Sequence, residues 1–82
     1  MKVIITDEAS KEFGKLPLTI QSRVLKIFER LEHWPNVSGA KQLTGQWSGC
    51  WRIRTGDWRV IFEVQDDVVV IRIAHRKDVY GA

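Results

Sequence analysis

Apolar residues in the first half of the chain recur at the spacing of a helix face. The first such stripe lies within residues 9–16, and Thr6 or Asp7 ahead of it has a side-chain oxygen that can cap a helix start. Pro17 interrupts the stripe, because proline has no backbone N–H to donate. A longer and stronger stripe then covers residues 18–33. The pattern predicts two consecutive helices that pack as a hairpin.

The second half of the chain has the patterns of β-strands. Residues 2–6 form a short apolar run ahead of the helices, and residues 51–54 and 58–64 alternate between apolar and polar positions. Gly56-Asp57 lies between the alternating runs, and glycine supplies the positive φ that a tight hairpin turn needs. Residues 68–74 are apolar at nearly every position, which is typical of a strand buried on both faces. We therefore expect that strand to be central in the sheet.

The order of these elements is β-α-α-β-β-β, which predicts the α+β class. We expect an antiparallel sheet with the two-helix hairpin packed on one face and the other face left open. The face under the helices is predicted to carry large apolar side chains: Trp51, Ile53, Trp58, Val60 and Phe62. With 82 residues the chain is predicted to be one domain, residues 1–82, of marginal stability on its own.

Composition excludes several classes of protein. Hydrophobic residues make up 44% of the chain and charged residues 28%, which is typical of a folded globule. No apolar run approaches the roughly 20 residues that cross a bilayer, and the N-terminus lacks signal-peptide features, so we predict a cytoplasmic protein without membrane contact. One cysteine and two histidines argue against a disulfide framework or a zinc site, and we predict no metal and no cofactor.

Positive charge is concentrated in the second half of the chain. The net charge is +3, and five of the seven arginines follow residue 50. If the hairpin loop is Gly56-Asp57, or four residues of the same parity, Arg54 faces Arg59 and Arg52 lies on the same side of the sheet. Like charges directly opposite on a hairpin are destabilising by roughly 0.2–1 kcal/mol. A fold that keeps them suggests a ligand of opposite charge, either nucleic acid or an acidic protein.

Four short segments carry a resemblance to a known family. In chain order they are Leu43-Thr44-Gly45, Trp51-Arg52-Ile53-Arg54, Gly56-Asp57-Trp58-Arg59-Val60-Ile61-Phe62-Glu63 and His75-Arg76-Lys77-Asp78-Val79-Tyr80. Together with the order of elements, they resemble the RelE/ParE superfamily of bacterial and archaeal toxins over essentially the whole chain. The resemblance implies a toxin of a type II toxin–antitoxin system, whose partner is a cognate antitoxin protein in a hetero-oligomer.

Two branches of this superfamily imply two different activities. The resemblance to the RelE branch implies an endoribonuclease that enters the A site of the 30S ribosomal subunit and cuts mRNA there. The ParE branch instead inhibits DNA gyrase by binding it, and a third hypothesis is an inactive relative that only binds its antitoxin. Positions that match the ribonuclease branch are Arg52, Arg54, Arg59, His75, Arg76 and Tyr80. This set favours the ribonuclease.

Cleavage of this kind needs no metal, because the ribose 2′-OH can attack the adjacent phosphate. Arginines suit the charge that grows on the phosphate oxygens, but they are always protonated and are poor bases, and the best-described relatives have lysines at the first two basic positions. His75 is the favoured acid or base, and Tyr80 either takes the 2′-OH proton or stacks on a nucleobase. Further RNA contacts are predicted at Lys41, Trp47, Trp51, Arg72 and Lys77.

The face of the sheet on which His75 lies depends on the last turn. With a two-residue turn at Asp66-Asp67, His75 points to the face opposite Arg59. The two side chains converge only if that turn has an odd number of residues or a β-bulge intervenes. We therefore predict such an irregularity, or that His75 lies past the end of the strand.

Overall fold

The structure is a computed structural model that describes residues 1–80, except for the side chain of Tyr80. Its elements, in chain order, are β1 (Val3–Ile5), α1 (Asp7–Gly14), α2 (Leu18–Leu31), β2 (Lys41–Gln42), a 3₁₀ helix (Gly45–Trp47), β3 (Trp51–Thr55), β4 (Trp58–Val64), β5 (Val68–His75) and α3 (Arg76–Tyr80). Within residues 1–80, none of these helices has the length and apolar character needed to cross a membrane.

The strands form one sheet in the order β1-β5-β4-β3-β2. The predicted α+β class is confirmed, and β5 lies inside the sheet, between β1 and β4. One strand pair departs from the expected antiparallel arrangement, because β1 runs parallel to β5. The two helices carry the chain away from β1, and the later strands then alternate in direction, so that β5 returns beside β1 with the same orientation.

The first helix begins at a cap that also joins it to the sheet. Thr6 has extended backbone angles, and its Oγ1 accepts a hydrogen bond from the Ala9 N–H at 3.2 Å. The same hydroxyl donates to the Val70 carbonyl of β5 at 3.0 Å. One side chain therefore satisfies a helix N–H and fixes the position of α1 against the inner strand.

Thr6→Ala is expected to lower the free energy of unfolding by about 1–2 kcal/mol, because both hydrogen bonds are lost at a half-buried position. Urea denaturation followed by circular dichroism measures this difference. Thr19→Ala is the matched control, because Thr19 is exposed in the first turn of α2 and alanine suits a helix at least as well. Equal losses in the two variants would contradict the capping role.

The main core lies between the helices and one face of the sheet. Val24 and Leu31 of α2 and Phe62 of β4 are fully buried there. The Trp34 ring contacts the rings of Phe62 and Trp51 edge-on, with centroids 5.4 and 5.0 Å apart. Trp51 therefore packs against the core, and our prediction that it contacts RNA is not supported by its position. The alternation of β3 explains why Trp51 faces the core, since the even-numbered arginines of the strand lie on the other face.

The predicted β3–β4 hairpin is confirmed in its turn and its register. Gly56 has φ +59°, and Gly56-Asp57 forms the two-residue connection. Arg54 pairs with Arg59 and Arg52 pairs with Ile61. The five large apolar residues predicted for the face under the helices consequently pack in the main core, as the alternation indicated.

Gly56→Ala is expected to destabilise the domain by about 1–2 kcal/mol, because a side chain is disfavoured at this positive φ. No atom lies within 4 Å of the added methyl group, so the backbone alone causes the effect. Gly14→Ala makes the same chemical change inside α1, in equally open space, and is expected to stabilise by up to about 1 kcal/mol. Thermal melting of both variants should give midpoint shifts of opposite sign.

Candidate functional site

Two like-charged pairs lie next to each other on the sheet face away from the helices. Lys41 of β2 is the cross-strand partner of Arg52, and Arg54 is the partner of Arg59. Directly opposed side chains on antiparallel strands have Cβ atoms about 4.5–5.5 Å apart. Lys41, Arg52 and Arg54 are therefore close enough to raise the positive potential of a single surface region.

Two clefts share this region. The first, which we call the cationic cleft, has a volume of about 460 Å³ and is lined by Arg30, Ser38, Gly39, Lys41, Arg52, Ile53 and Arg54. The second, the Trp47 cleft, has a volume of about 310 Å³ and is lined by Lys41, Gln42, Leu43, Thr44, Gln46, Trp47, Arg52 and Val79. Lys41 and Arg52 belong to both clefts and form the ridge between them.

The cationic cleft lacks compensating negative charge. Within residues 1–80, Lys41, Arg52 and Arg54 have no carboxylate within 4.0 Å and no side-chain hydrogen bond. The guanidinium of Arg30 donates to the carbonyl and the hydroxyl of Ser38, and so it stays oriented at the cleft wall without losing its charge. Such a site favours an anionic ligand with several charges.

Arg59 has a different environment from the other arginines. Arg59 is only 7% exposed, and its Nη1 donates to the carbonyls of Gly56 at 3.0 Å and Trp58 at 3.1 Å. The expected patch of three arginines is therefore reduced to Arg52 and Arg54. The buried guanidinium of Arg59 instead stabilises the hairpin turn through its hydrogen bonds to backbone carbonyls. The sequence spacing placed Arg59 on the right face, but it did not indicate what covers that face.

A second, smaller core covers part of the face that we expected to be open. Val79 of α3 packs there with Cys50, Ile61 and Ala74, and each of the four is buried. Burial raises the pKa of the Cys50 thiol, and the nearby Glu63 carboxylate raises the same pKa further. The helix α3 is thus part of the fold rather than a polar tail, and Val79 joins this small core to the Trp47 cleft.

His75 lies on the opposite face from Arg59. The last turn has three residues between β4 and β5, and a bulge shifts the register between Ile61 and Phe62, so both predicted irregularities are present. Each shifts the pairing by one residue and together they cancel, so His75 pairs with Trp58 while Arg59 pairs with Ala74. The expected convergence of His75 with Arg59 is therefore wrong.

The hairpin turn contacts the junction between β5 and α3. The Arg76 N–H donates to the Asp57 carbonyl at 2.7 Å, and Arg76 Nε lies 3.7 Å from Asp57 Oδ1. His75 Nε2 lies 4.0 Å from Asp57 Oδ2. Lys77, one of the predicted RNA contacts, is exposed, and its N–H donates to His75 Nδ1 at 3.2 Å.

Arg72 is held at the edge of the sheet and lines neither cleft. Its Nε donates to Glu12 Oε2 at 2.9 Å and lies 3.6 Å from Glu8 Oε1. The other Glu12 oxygen accepts from the Ile73 N–H at 2.8 Å, and so α1 occupies the part of the β5 edge that β1 does not reach. Our prediction that Arg72 contacts RNA is not supported by this pairing, because two carboxylates already neutralise its charge.

The remaining predicted residues divide between the clefts and the undescribed part of the chain. Lys41 and Trp47 line the Trp47 cleft, where Trp47 also packs on the second core. The side chain of Tyr80 lies outside the described residues. Arg30 was not predicted as a site residue, because its position on the polar side of α2 gives no signal that it lines a cleft with residues of β3.

The sequence of this chain is similar to those of known toxins. Residues 3–80 match the model of the ParE toxin of type II toxin–antitoxin systems. The toxin RelG of Mycobacterium tuberculosis is 32% identical over 82 residues, which cover 95% of this chain and 93% of RelG. The toxin RelE3 of Methanocaldococcus jannaschii is 28% identical over 85 residues, covering 98% of this chain and 96% of RelE3.

Solved structures of similar toxins share the fold. The RelBE2 toxin–antitoxin complex of Mycobacterium tuberculosis matches with a TM-score of 0.78 and 29% identity, over 92% of this chain and 90% of the matched chain. The isolated RelE toxin of E. coli matches with a TM-score of 0.75 and 24% identity, over 98% and 90% of the two chains, which is evidence for the fold alone. The chain therefore belongs to the ParE toxin family of type II toxin–antitoxin systems, within the RelE/ParE superfamily.

Proposed function

We propose that this toxin is a ribosome-dependent endoribonuclease that cuts mRNA in the A site and so stops translation. The observation that carries the proposal is the cationic cleft, where Arg52 and Arg54 lie beside Lys41 without a described carboxylate to neutralise them. A protein tolerates opposed like charges when its ligand is a polyanion, and the RNA backbone is one. The similarity to toxins named RelG and RelE3 supports the same branch.

In the proposed reaction, the 2′-OH of one nucleotide attacks its own 3′ phosphate. A bond forms between O2′ and phosphorus as the 2′-OH loses its proton, and the bond from phosphorus to the 5′ oxygen of the next nucleotide breaks. The leaving 5′ oxygen gains a proton, so the products are a 2′,3′-cyclic phosphate and a 5′-OH. Arg52 and Arg54 bind the non-bridging phosphate oxygens, where negative charge increases in the transition state. The cleft also aligns the attacking and leaving oxygens, so no metal is needed in this scheme.

Proton transfer requires a group other than these arginines, since guanidinium stays protonated. We propose that Tyr80, the residue after Val79 of the Trp47 cleft, either takes the 2′-OH proton or stacks on a nucleobase beside the scissile phosphate. Arg76, the first residue of α3, has a side chain that is 60% exposed and provides a further phosphate contact.

The proposed partners follow from the same surface. In the cytoplasm, the cleft binds mRNA that the 30S subunit holds, and a cognate antitoxin blocks the toxin in a hetero-oligomer. The solved RelBE complexes pair similar toxins with an antitoxin. An antitoxin with acidic residues on an amphipathic helix or extended arm complements the charge of the cationic cleft.

Primer extension on a reporter mRNA in a purified translation system tests the proposal. We expect new 5′ ends inside codons only when both the toxin and ribosomes are present, and a 2′,3′-cyclic phosphate on the upstream fragment. Intact mRNA in the presence of both the toxin and actively translating ribosomes would contradict the proposal.

A second candidate function is inhibition of DNA gyrase by protein binding. One observation favours it: none of the side chains that line the cationic cleft within residues 1–80 is a histidine or a carboxylate, so the described part of this cleft has no group for proton transfer near neutral pH. A supercoiling assay with purified gyrase separates the two functions. Loss of supercoiling together with intact mRNA would replace the first proposal with the second, and no effect in either assay would indicate a toxin relative that only binds its antitoxin.

The affinity for single-stranded RNA is expected to depend steeply on salt. If Lys41, Arg52 and Arg54 each neutralise one phosphate, the plot of log K against log salt concentration should have a slope of about −2, since each contact contributes about −0.7. Arg54→Ala should make that slope less negative by about 0.7. Fluorescence anisotropy with a labelled oligonucleotide at several salt concentrations measures both slopes, and a slope near zero would exclude phosphate binding by this cleft.

A further inference from the structure

Both nitrogens of the His75 ring face protein groups. Nδ1 accepts the N–H of Lys77 at 3.2 Å, and a neutral imidazole that accepts at one nitrogen carries its proton on the other. That other nitrogen, Nε2, lies 4.0 Å from Asp57 Oδ2 in the hairpin turn. The ring also contacts Trp58 edge-on at 5.3 Å between centroids. His75 is therefore held among the hairpin turn, its neighbouring strand and the start of α3.

The contact to Lys77 is a helix cap. His75 is the last residue of β5, and Lys77 is the second residue of α3, whose N–H has no carbonyl partner within the helix. An acceptor two positions before such an N–H is the arrangement in which serine, aspartate and asparagine start helices. Here Nδ1 of the imidazole takes the place of the side-chain oxygen.

Asp57 supports the same junction from the hairpin side. Its carbonyl accepts the N–H of Arg76, the first residue of α3, at 2.7 Å, and its carboxylate lies near the side chains of Arg76 and His75. These contacts determine where α3 starts relative to the β3–β4 turn. Since α3 has only five residues, its start largely fixes the position of Val79.

Val79 connects this junction to the site. It packs in the second core with Cys50 and Ile61, and it also lines the Trp47 cleft beside Lys41 and Arg52. A loosened start of α3 would therefore open one wall of the cleft that contains Arg52. It would also expose the thiol of Cys50, which is 9% exposed in the folded protein.

We propose that His75 is a positioning residue, which caps α3 through Nδ1 and, together with Asp57, holds Val79 against the cleft, and that it does not transfer protons in the reaction. The expected effect of His75 on cleavage rests on the proposed ribonuclease function, whereas its expected effect on the position of α3 does not. The face of the sheet on which His75 lies supports the proposal, since His75 pairs with Trp58 and lies on the face opposite Arg59.

Two substitutions of similar size separate the roles. His75→Asn places an amide oxygen close to the position of Nδ1 and can cap the helix, but it cannot act as an acid or base near neutral pH. His75→Gln extends the amide to the position of Nε2 and loses the cap. We expect mRNA cleavage by His75→Asn to stay within about threefold of the wild type, with an unchanged pH profile, and cleavage by His75→Gln to fall by about fivefold or more. A loss of about 100-fold or more in both variants is the result for a proton-transfer residue and would overturn the proposal.

Alkylation of Cys50 by a maleimide provides a second readout that needs no RNA. In the full-length protein at one pH, we expect His75→Gln to speed the reaction about fivefold relative to the wild type and His75→Asn to leave it nearly unchanged. Asp57→Asn keeps the backbone carbonyl and removes the carboxylate charge, and it should raise the rate about twofold. Melting curves establish that every variant is folded at the assay temperature.

The two readouts distinguish failure of the inference from failure of the proposed function. If even the wild type leaves mRNA intact, the ribonuclease proposal fails and the Cys50 rates alone decide the role of His75. A faster reaction in His75→Gln but not in His75→Asn supports the cap in that case as well. Equal Cys50 rates in the wild type and all variants, or equal increases in both His75 variants, would overturn it.

Discussion

Arg54→Ala is expected to slow mRNA cleavage by about 100-fold or more while the domain remains as stable as the wild type. Arg54 lines the cationic cleft, is exposed, and makes no ion pair or side-chain hydrogen bond with residues 1–80, so its removal leaves no buried group without a partner. A preorganised donor to a phosphate oxygen acts mainly in the transition state, where its loss typically raises the barrier by about 3–4 kcal/mol. Single-turnover cleavage on programmed ribosomes measures the rate.

Arg23→Ala is the matched control for this prediction. Arg23 is an exposed arginine on α2 that lines neither cleft, so the variant has the same net charge as Arg54→Ala and should cut mRNA at nearly the wild-type rate. Arg54→Lys adds a test of geometry, because lysine keeps the charge but not the planar fork that binds two phosphate oxygens. Equal rates for Arg54→Ala and Arg23→Ala would show that Arg54 does not contact the scissile phosphate.

Arg59 gives a weaker test than its position in the sequence suggests. It is buried and donates to the carbonyls of Gly56 and Trp58, so Arg59→Ala would disturb the hairpin turn as well as any phosphate contact. A loss of toxicity in that variant would therefore combine folding with chemistry. Arg52 and Arg54 separate the two, because their charges are exposed to the clefts without a structural partner in the described part of the chain.

The β3–β4 hairpin is predictable from the sequence because two independent signals agree. Alternation over residues 51–54 and 58–64 assigns a face to every side chain, and Gly56-Asp57 fixes the length of the turn. A shift of one residue would turn Ile53, Val60 and Phe62 away from the main core, so the register has a large energetic preference. The opposition of Arg54 and Arg59 follows from the same register.

The position of His75 is not predictable in the same way, because β5 has no alternation. Its residues 68–71 are all apolar, so the pattern does not indicate which side chain of the strand is the extra one at the bulge. The three-residue turn moves the residues after it to the other face of the sheet, and the bulge moves the residues after it back. His75 therefore lies on the same face as it would with a two-residue turn and no bulge. Whether two residues share a face of the sheet can therefore be predicted only when every turn length and bulge between them is known.

The cover over the second face was missed because α3 is too short to have a periodic signal. Five residues contain one turn and little more, and among the described side chains of α3 it is Val79 that packs in the second core. We therefore predicted functional side chains at His75, Arg76 and Tyr80 but an open sheet face beside them. The packing of α3 changes the role of its neighbours, since it buries Cys50 and forms part of the wall of the Trp47 cleft.

Phe62→Ala is expected to lower the free energy of unfolding by about 3–5 kcal/mol, the largest stability effect of any substitution considered for this chain. Phe62 is fully buried at the centre of the main core, where its ring contacts Trp34 edge-on at 5.4 Å. A domain of 82 residues has a total stability of about 4–12 kcal/mol, so the variant loses between about a quarter and all of it. Urea titration measures the loss, and the variant should be partly unfolded at 37 °C.

Phe28→Ala removes the same ring from a site that is only half-buried, and it is the matched control. Phe28 contacts Phe13 at 6.2 Å between ring centroids, at the outer side of α2, where neighbouring side chains and water can fill the space. We expect a loss of less than half that of Phe62→Ala, because less apolar area returns to water and a smaller cavity remains. Equal losses would mean that the core is not centred on β4. In that case the rigid support that orders Arg52 and Arg54 on the opposite face would have to come from the second core.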